Sequence, residues 1–276
     1  MDVVNEKWRY LIVLDACRYD YFKKLYKRYD NLSRGKLYKV KSKSNNTLNW
    51  ISRWEGDHKD IIYVSANPFI NSKGKTNGIK PSEVFYKVID VWDYGWDDNF
   101  QTVLPDKVNE AALEVMSNFP EKRIIVHYLQ PHAPFISISN DIINKIRNNN
   151  KKTIMNMIVD KMPLVPRWYM SFFISKILSS FGIYQQVYNF FMGTGMRKSY
   201  YKLFLDFMSE HKIKTLYEKN LDIVLLYVNE LVGNMKGKII ITSDHGELLG
   251  EHGIYEHPIF SWYEEQITVP LLKIRR

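Results

Sequence analysis

The sequence predicts an α/β fold, a mostly parallel central sheet with helices on both faces, and three observations predict it. Short runs rich in branched apolar residues recur between stretches of helical periodicity, and strands apolar on both faces belong to parallel sheets covered on both sides. The chain has 276 residues, 45% hydrophobic and 25% charged, which suits one large α/β domain and excludes disordered and collagen-like classes. Polar residues suited to chemistry follow directly on the branched runs, and in such sheets sites open beyond the carboxyl ends of the strands.

The elements follow in chain order. Tyr10-Leu-Ile-Val-Leu reads as a buried strand by length and branching, and Tyr19 to Tyr29 as the helix after it. Ile61-Ile-Tyr-Val-Ser and Tyr86-Lys-Val-Ile-Asp-Val are the next strands. Pro105 to Ser117 is a helix with proline at a favourable early position, ending before Pro120. Arg123-Ile-Ile-Val-His-Tyr-Leu is a strand, Leu221 to Met235 an amphipathic helix, and Lys238-Ile-Ile-Ile-Thr a strand after Gly237. Val269-Pro-Leu-Leu-Lys-Ile closes the series as an expected edge strand, where Pro270 costs little.

Charge divides the chain. Between Asp141 and Asn220 stand 13 Lys and Arg against 5 Asp and Glu, so one block carries nearly all of the +9 excess. The same block is rich in Trp, Tyr and Phe and is punctuated by Pro163, Pro166, Gly182, Gly193 and Gly195. The expected organisation is one α/β domain over 1–276 with a basic, aromatic, helical insertion at 141–214. Cations interleaved with aromatics suit an anionic lipid surface, and equally a cap packed over the active site. Nucleic acid is not an expected partner, because no RRM, KH or zinc-finger pattern is present. The single cysteine, Cys17, excludes a disulfide framework and a cysteine-based zinc site. Glu6, Lys7 and Arg9 lead straight into the first apolar run without a signal-peptide pattern, and no stretch suits a full membrane span. The expected compartment is therefore the cytoplasm, with 141–214 on the inner membrane face.

The chemical signal lies at the strand ends. Asp15 follows Leu11-Ile-Val-Leu, and Asp244 with His245 follows Ile239-Ile-Ile-Thr-Ser. An adjacent Asp-His pair before Gly246 offers oxygen and nitrogen ligands on tight backbone geometry, which suits Zn²⁺ or Mn²⁺ better than Ca²⁺. Five of the seven histidines, His127, His132, His245, His252 and His257, gather after two strands. His127 lies within its strand and is read as pointing back toward the sheet. Asn67, after the strand ending at Ser65, and Arg18 are each either substrate contacts or ordinary surface residues. Cys17 reads as a small buried residue beneath the site.

Leu14-Asp-Ala-Cys-Arg-Tyr-Asp, Gln130-Pro-His-Ala-Pro-Phe and Thr242-Ser-Asp-His-Gly-Glu-Leu-Leu-Gly-Glu-His-Gly together resemble the alkaline-phosphatase superfamily. The similarity is to its sulfatase-like hydrolases and transferases, including phosphoglycerol and phosphoethanolamine transferases, over roughly residues 8–135 and 221–273. The resemblance implies metal ligands at Asp15, Asp244 and His245, with one or two divalent ions. It implies a second ion or the transferring group at His132 and His257, so His257 is also a candidate ligand. Arg18, His132 and His252 are the candidates for substrate binding, His132 also as a catalytic residue that offsets developing charge and His252 as ligand or neighbour.

In this superfamily the nucleophile is a Ser, Thr or modified Cys at a helix start after the second strand. The candidates are Ser42, Ser44 and Thr47 in Lys41-Ser-Lys-Ser-Asn-Asn-Thr-Leu-Asn-Trp. Thr47 precedes a helical stretch and is favoured both as nucleophile and as a metal ligand, with a plain N-cap as its other reading. The Cys-x-Pro-Ser-Arg signature of type I sulfatases is absent. The expected activity is metal-dependent hydrolysis or transfer of a phosphate ester, a phosphodiester or lipid-linked phosphate favoured, through a phospho-Thr47 enzyme. Sulfate-ester hydrolysis and a non-catalytic binding module of the same fold are the alternatives.

Overall fold

The computed structural model describes residues 2–138, 209–259 and 261–276. Apart from Ile138 and Ser209 these belong to one unit, formed by Met1–Ser137 and Glu210–Arg276. Of the expected insertion, 141–208 lie outside the described residues.

The chain runs β1 (Tyr10–Leu14), α1 (Tyr19–Leu25), α2 (Asp30–Ser33), β2 (Lys36–Lys41), α3 (Thr47–Ile51) and β3 (His58–Ser65). It continues through α4 (Pro81–Val84), β4 (Phe85–Asp90), α5 (Val91–Tyr94), β5 (Trp96–Asp97), β6 (Thr102–Val103), α6 (Pro105–Asn118) and β7 (Arg123–Tyr128). After the undescribed segment come α7 (Glu210–Gly233), β8 (Lys238–Thr242), β9 (Leu248–Leu249), β10 (Tyr255–Glu256), α8 (Glu264–Ile267) and β11 (Thr268–Arg275). Seven strands form one sheet in the order β2-β11-β8-β1-β7-β3-β4. β8, β1, β7, β3 and β4 pair in parallel, and β11 is antiparallel to both β8 and β2.

Every residue of β1 is buried, which is why that run carries no polar alternation. α7 buries Ile213, Leu216, Tyr217, Leu221, Val224, Leu225, Val228, Leu231 and Val232 on one stripe, and each such fully buried side chain stabilises by roughly 1.5–3 kcal/mol. The helix starts at Glu210 rather than Leu221, and the Glu210–Lys214 ion pair at 2.8 Å spans its first turn. Glu210 to Lys214, assigned from sequence to the insertion, therefore belong to this helix.

β11 is not an edge strand. It lies between β8 and β2, and the edge is β2, whose Lys-rich sequence concealed it. Pro270 is accommodated because its carbonyl accepts from Thr242 Oγ1 at 2.7 Å on the side of β8, and β8 ends at Thr242. The N–H that proline lacks would point to that same side, beyond the last ladder pair, Leu271 with Thr242.

Two features aim the chain at the carboxyl edge of the sheet. α3 has only five residues, but Trp50 and Ile51 are fully buried in a cluster with Trp54, Tyr63 and Phe85, which anchors the helix that begins with Thr47. Gly246 packs against α8, its N–H donating to Gln266 O at 2.5 Å. A Cβ at Gly246 would stand 2.1 Å from Glu265 O, so backbone would have to move. Gly246→Ala is expected to cost at least about 2 kcal/mol, seen as a lower urea midpoint at unchanged slope. An unchanged midpoint would show that the α8 contact does not hold this turn.

Candidate active site and metal centre

Four loops deliver polar side chains to one place. Asp15 follows β1 directly, and its N–H continues the ladder by donating to Tyr128 O at 3.1 Å. Asp244 and His245 follow β8, Asn67 follows β3, and Thr47 follows the loop after β2. All five are buried. Asp244 Oδ1 accepts from the backbone N–H groups of Ala16, at 3.2 Å, and His245, at 2.9 Å. Its Oδ2 accepts from Thr47 Oγ1 at 2.9 Å. Asn67 Nδ2 donates to Asp15 Oδ2 at 2.5 Å and lies 3.4 Å from Thr47 Oγ1. The threonine hydroxyl is thus held among the two carboxylates and a carboxamide.

The other hydroxyls are placed differently. Ser42 Oγ donates to the backbone carbonyl of Asp244 at 2.6 Å, and Ser44 Oγ is buried without a hydrogen-bond partner. Capping of α3 falls to Asn46, whose side chain accepts from Asn49 N–H at 2.9 Å. Thr47 is therefore not the N-cap.

The donor set fits a divalent cation. Asp15 Oδ1 and His245 Nε2 are buried with no hydrogen-bond partner. His245 Nε2 lies 3.4 Å from Asp15 Oδ1 and 3.3 Å from Asp244 Oδ2. His245 Nδ1 is 2.8 Å from Gly246 O, and a carbonyl only accepts, so Nδ1 carries the proton and the neutral ring turns a bare Nε2 toward the carboxylates. A lone pair facing two anions calls for a positive charge between them, and in the metal-free protein a proton serves. Burial pulls His245 down, but Asp244 and Asp15 outweigh it and push its pKa up to about 9. Burial in turn pushes Asp15 up, and the nearby His245, with His132 and His127, outweighs burial and carries it well below the usual carboxylate range.

A second cluster stands beside the first. His132, Glu247 and His257 bring one ligand atom each within 4.8 Å of one another. Glu247 is fully buried; its Oε1 is 3.3 Å from His257 Nδ1 and its Oε2 4.0 Å from His132 Nε2. His132 Nδ1 donates to Ala133 O. His257 thus groups with His132 and Glu247 rather than with Asp15 and Asp244, although its ring centroid is 4.2 Å from that of His245. Glu247 was not singled out by sequence; its place two residues after His245 was the available signal. Helix α7 holds the His132 loop through buried Asn220, which donates to Pro131 O at 3.0 Å and accepts from Ile136 N–H at 3.1 Å.

Two substrate-binding candidates have partners of their own. His252, half exposed, stacks on Tyr263 and lies 3.5 Å from Glu265. Arg18 is committed to Asp20 and Glu251, each at 2.7 Å. Cys17 is fully buried, and burial pushes its thiol well up.

No family model and no curated protein matches the sequence. Solved structures do. The chain is similar to the soluble domain of lipooligosaccharide phosphoethanolamine transferase A from Neisseria meningitidis, with 12% identity, 96% of this chain and 75% of that chain covered, and a TM-score of 0.55. It spans 48% of the integral membrane form of that transferase. It is also similar to the C-terminal periplasmic domain of phosphoethanolamine transferase EptC from Campylobacter jejuni, with 14% identity, coverage of 96% and 78%, and a TM-score of 0.52. The corresponding periplasmic domain of EcEptC from Escherichia coli, in complex with Zn, has 11% identity, coverage of 100% and 75%, and a TM-score of 0.50. The fold, a mostly parallel sheet with helices as the sequence predicted, is thus shared with phosphoethanolamine transferase domains.

These likenesses overturn the cytoplasmic expectation. The EptC structures are periplasmic domains, and the expectation rested on the absence of a leader pattern, from which no compartment follows. Among the described residues no helix is long and apolar enough to cross a membrane.

The raised histidine has a measurable consequence. Its bound proton stabilises the metal-free fold below pH 6.5, and that contribution is lost as pH rises through about 9. Thermal denaturation of metal-free protein is expected to show falling stability across that window, and saturating Zn²⁺ to remove the slope while raising Tm. Equal slopes with and without metal would contradict a cation at His245.

Proposed function

We propose that this protein is a metal-dependent phosphoryl transferase or phosphoric ester hydrolase that works through a covalent phosphothreonine at Thr47. The observation that carries the reading is Thr47 Oγ1 at 2.9 Å from Asp244 Oδ2, beside the unpartnered Asp15 Oδ1 and His245 Nε2. Asp15, Thr47, Asp244 and His245 would hold a Zn²⁺ or Mn²⁺ ion, and a second ion would fall to His132, Glu247 and His257. A cation bound there supplies Lewis acidity, lowering the hydroxyl's pKa and polarising a phosphoryl oxygen. The likeness to phosphoethanolamine transferase domains, one solved with Zn, supports both the chemistry and an extracytoplasmic setting.

The protein's own residues divide the work. Asp244 accepts the Thr47 hydrogen bond and so directs its proton away from the attacking lone pair. Asn67 holds Asp15 and the threonine oxygen together. Thr47 Oγ1 attacks phosphorus in line, the bond to the first alcohol breaks, and that alcohol leaves with a proton. His132 and His257 offset charge developing on the nonbridging and leaving oxygens. Water or a second alcohol then displaces Thr47, completing hydrolysis or transfer. A phosphodiester or lipid-linked phosphate is the favoured ester, with the basic aromatic block 141–214 as the part suited to an anionic lipid surface. Cys17, buried two residues beyond Asp15, is not placed for a cysteine-derived sulfatase route.

The test compares aryl phosphodiester, phosphomonoester and sulfate ester with and without Zn²⁺ or Mn²⁺, followed by intact-mass analysis. Metal-dependent phosphate-ester cleavage and one added phosphoryl group on Thr47 are expected. Thr47→Ala is expected to lower turnover by at least about 10³-fold in a variant that still folds and melts cooperatively. Wild-type turnover in that variant would remove Thr47 from the nucleophile role.

A further inference from the structure

His127 stands against the same carboxylates as His245, but its proton is wired the other way. The ring is fully buried in β7, and its Nε2 lies 3.9 Å from Asp244 Oδ2 with no hydrogen-bond partner. By position alone it groups with Asp15 and Asp244 as a possible third ligand. The other end of the ring decides otherwise. His127 Nδ1 is 2.8 Å from Tyr63 OH, and Trp50 Nε1 is 3.1 Å from that same oxygen. An indole N–H can only donate, so the tyrosine oxygen accepts from Trp50. The tyrosine's own proton then has one acceptor in reach, His127 Nδ1. The reverse arrangement, Nδ1–H donating to Tyr63, would leave the buried hydroxyl proton unpaired in addition to Nε2 and would set a bare nitrogen lone pair against the Asp244 carboxylate. With Nδ1 accepting, the neutral ring carries its proton on Nε2, and burial favours the neutral ring by lowering the histidine pKa.

The three neighbouring histidines show the opposite pattern. His245 Nδ1 faces Gly246 O, His132 Nδ1 faces Ala133 O and His257 Nδ1 faces Glu247 Oε1. When neutral, His245 and His132 thus present a bare Nε2 toward Asp15 and Glu247, able to bind a cation or accept a proton. His127 alone turns an N–H.

We propose that His127 is not a metal ligand but a positioning residue, whose Nε2–H is set by the Trp50–Tyr63 chain and faces the charge of Asp244 Oδ2 across 3.9 Å. The N–H dipole takes the β7 side of that oxygen and leaves its remaining side to Thr47 and the cation, so the ion is directed toward Asp15 and His245. Because Trp50 belongs to α3, the helix that Thr47 begins, the element presenting the nucleophile also sets the tautomer. The inference rests on the metal reading above for its consequence, and on hydrogen-bond direction alone for the tautomer.

The test separates these two. Full-length protein isotopically labelled at histidine nitrogen is followed by long-range proton–nitrogen correlation spectra, metal-free and during Zn²⁺ titration. The expected result is His127 as the Nε2–H tautomer in both states, while the His245 Nε2 resonance moves on metal binding. In His127→Gln, which keeps a donor, the Zn²⁺ Kd is expected to rise by less than the roughly 10–100-fold typical of losing a residue that orients a metal ligand. In Tyr63→Phe the His127 proton is expected to redistribute toward Nδ1. An Nδ1–H tautomer in the wild type, a His127 Nε2 resonance that moves with Zn²⁺, or a 100-fold loss of affinity in His127→Gln would each overturn the proposal. An Nε2–H tautomer in a protein that takes up no Zn²⁺ would uphold the wiring and sink the metal reading instead.

Discussion

Asp15, Asp244 and Glu247 are buried at one edge of the sheet, within reach of one another's histidine neighbours. Buried carboxylates persist only when hydrogen bonds and positive charge compensate their lost hydration. Asp244 gains two backbone N–H donors and a threonine hydroxyl, and Asp15 gains one carboxamide. What remains uncompensated is the side of Asp15 and Asp244 that faces His245 Nε2. A charge of +1 or +2 at that point stabilises the edge, and the surrounding structure can be understood as what keeps the place open for it.

The scaffold does so by making each loop short and each anchor deep. β1 and β8 are adjacent and parallel, so Asp15 and Asp244 emerge side by side. The tryptophan-rich cluster under α3 fixes a five-residue helix that could not hold itself. α7 reaches under the site with Tyr217, whose hydroxyl donates to Ala16 O at 2.7 Å, and with Asn220 beneath the His132 loop. The Gly246 turn then lets α8 close against the ligand loop at a distance no side chain would permit.

Much of this was legible in the sequence, for stated physical reasons. Strands buried on both faces announce themselves as branched apolar runs, so β1, β3, β7 and β8 were found, and the half-exposed edge strand β4 was found by its own Val and Ile residues. Residues directly after such runs must emerge at the carboxyl edge, which brought Asp15, Asp244 and His245 forward. The misses have causes as well. β2 is an exposed edge strand whose lysines read as solvated surface, and without it β11 looked terminal. Glu247 lies two residues after His245 and was passed over, and Tyr63 meets His127 across the sheet, a contact that no spacing encodes. Arg18 pairs with Asp20 and Glu251, and His252 stacks on Tyr263, contacts made across the fold or by loop geometry. Compartment was inferred from a missing signal, and the likeness to periplasmic domains corrected it.

The most direct test of the cation-centred site is a crystal structure of the protein soaked with Zn²⁺, with anomalous difference maps to locate the metal. An ion bound by Asp15, Thr47, Asp244 and His245, with His127 Nε2 outside its coordination sphere, is the predicted result. A map empty at that position, or an ion held by His127 in place of His245, would contradict it.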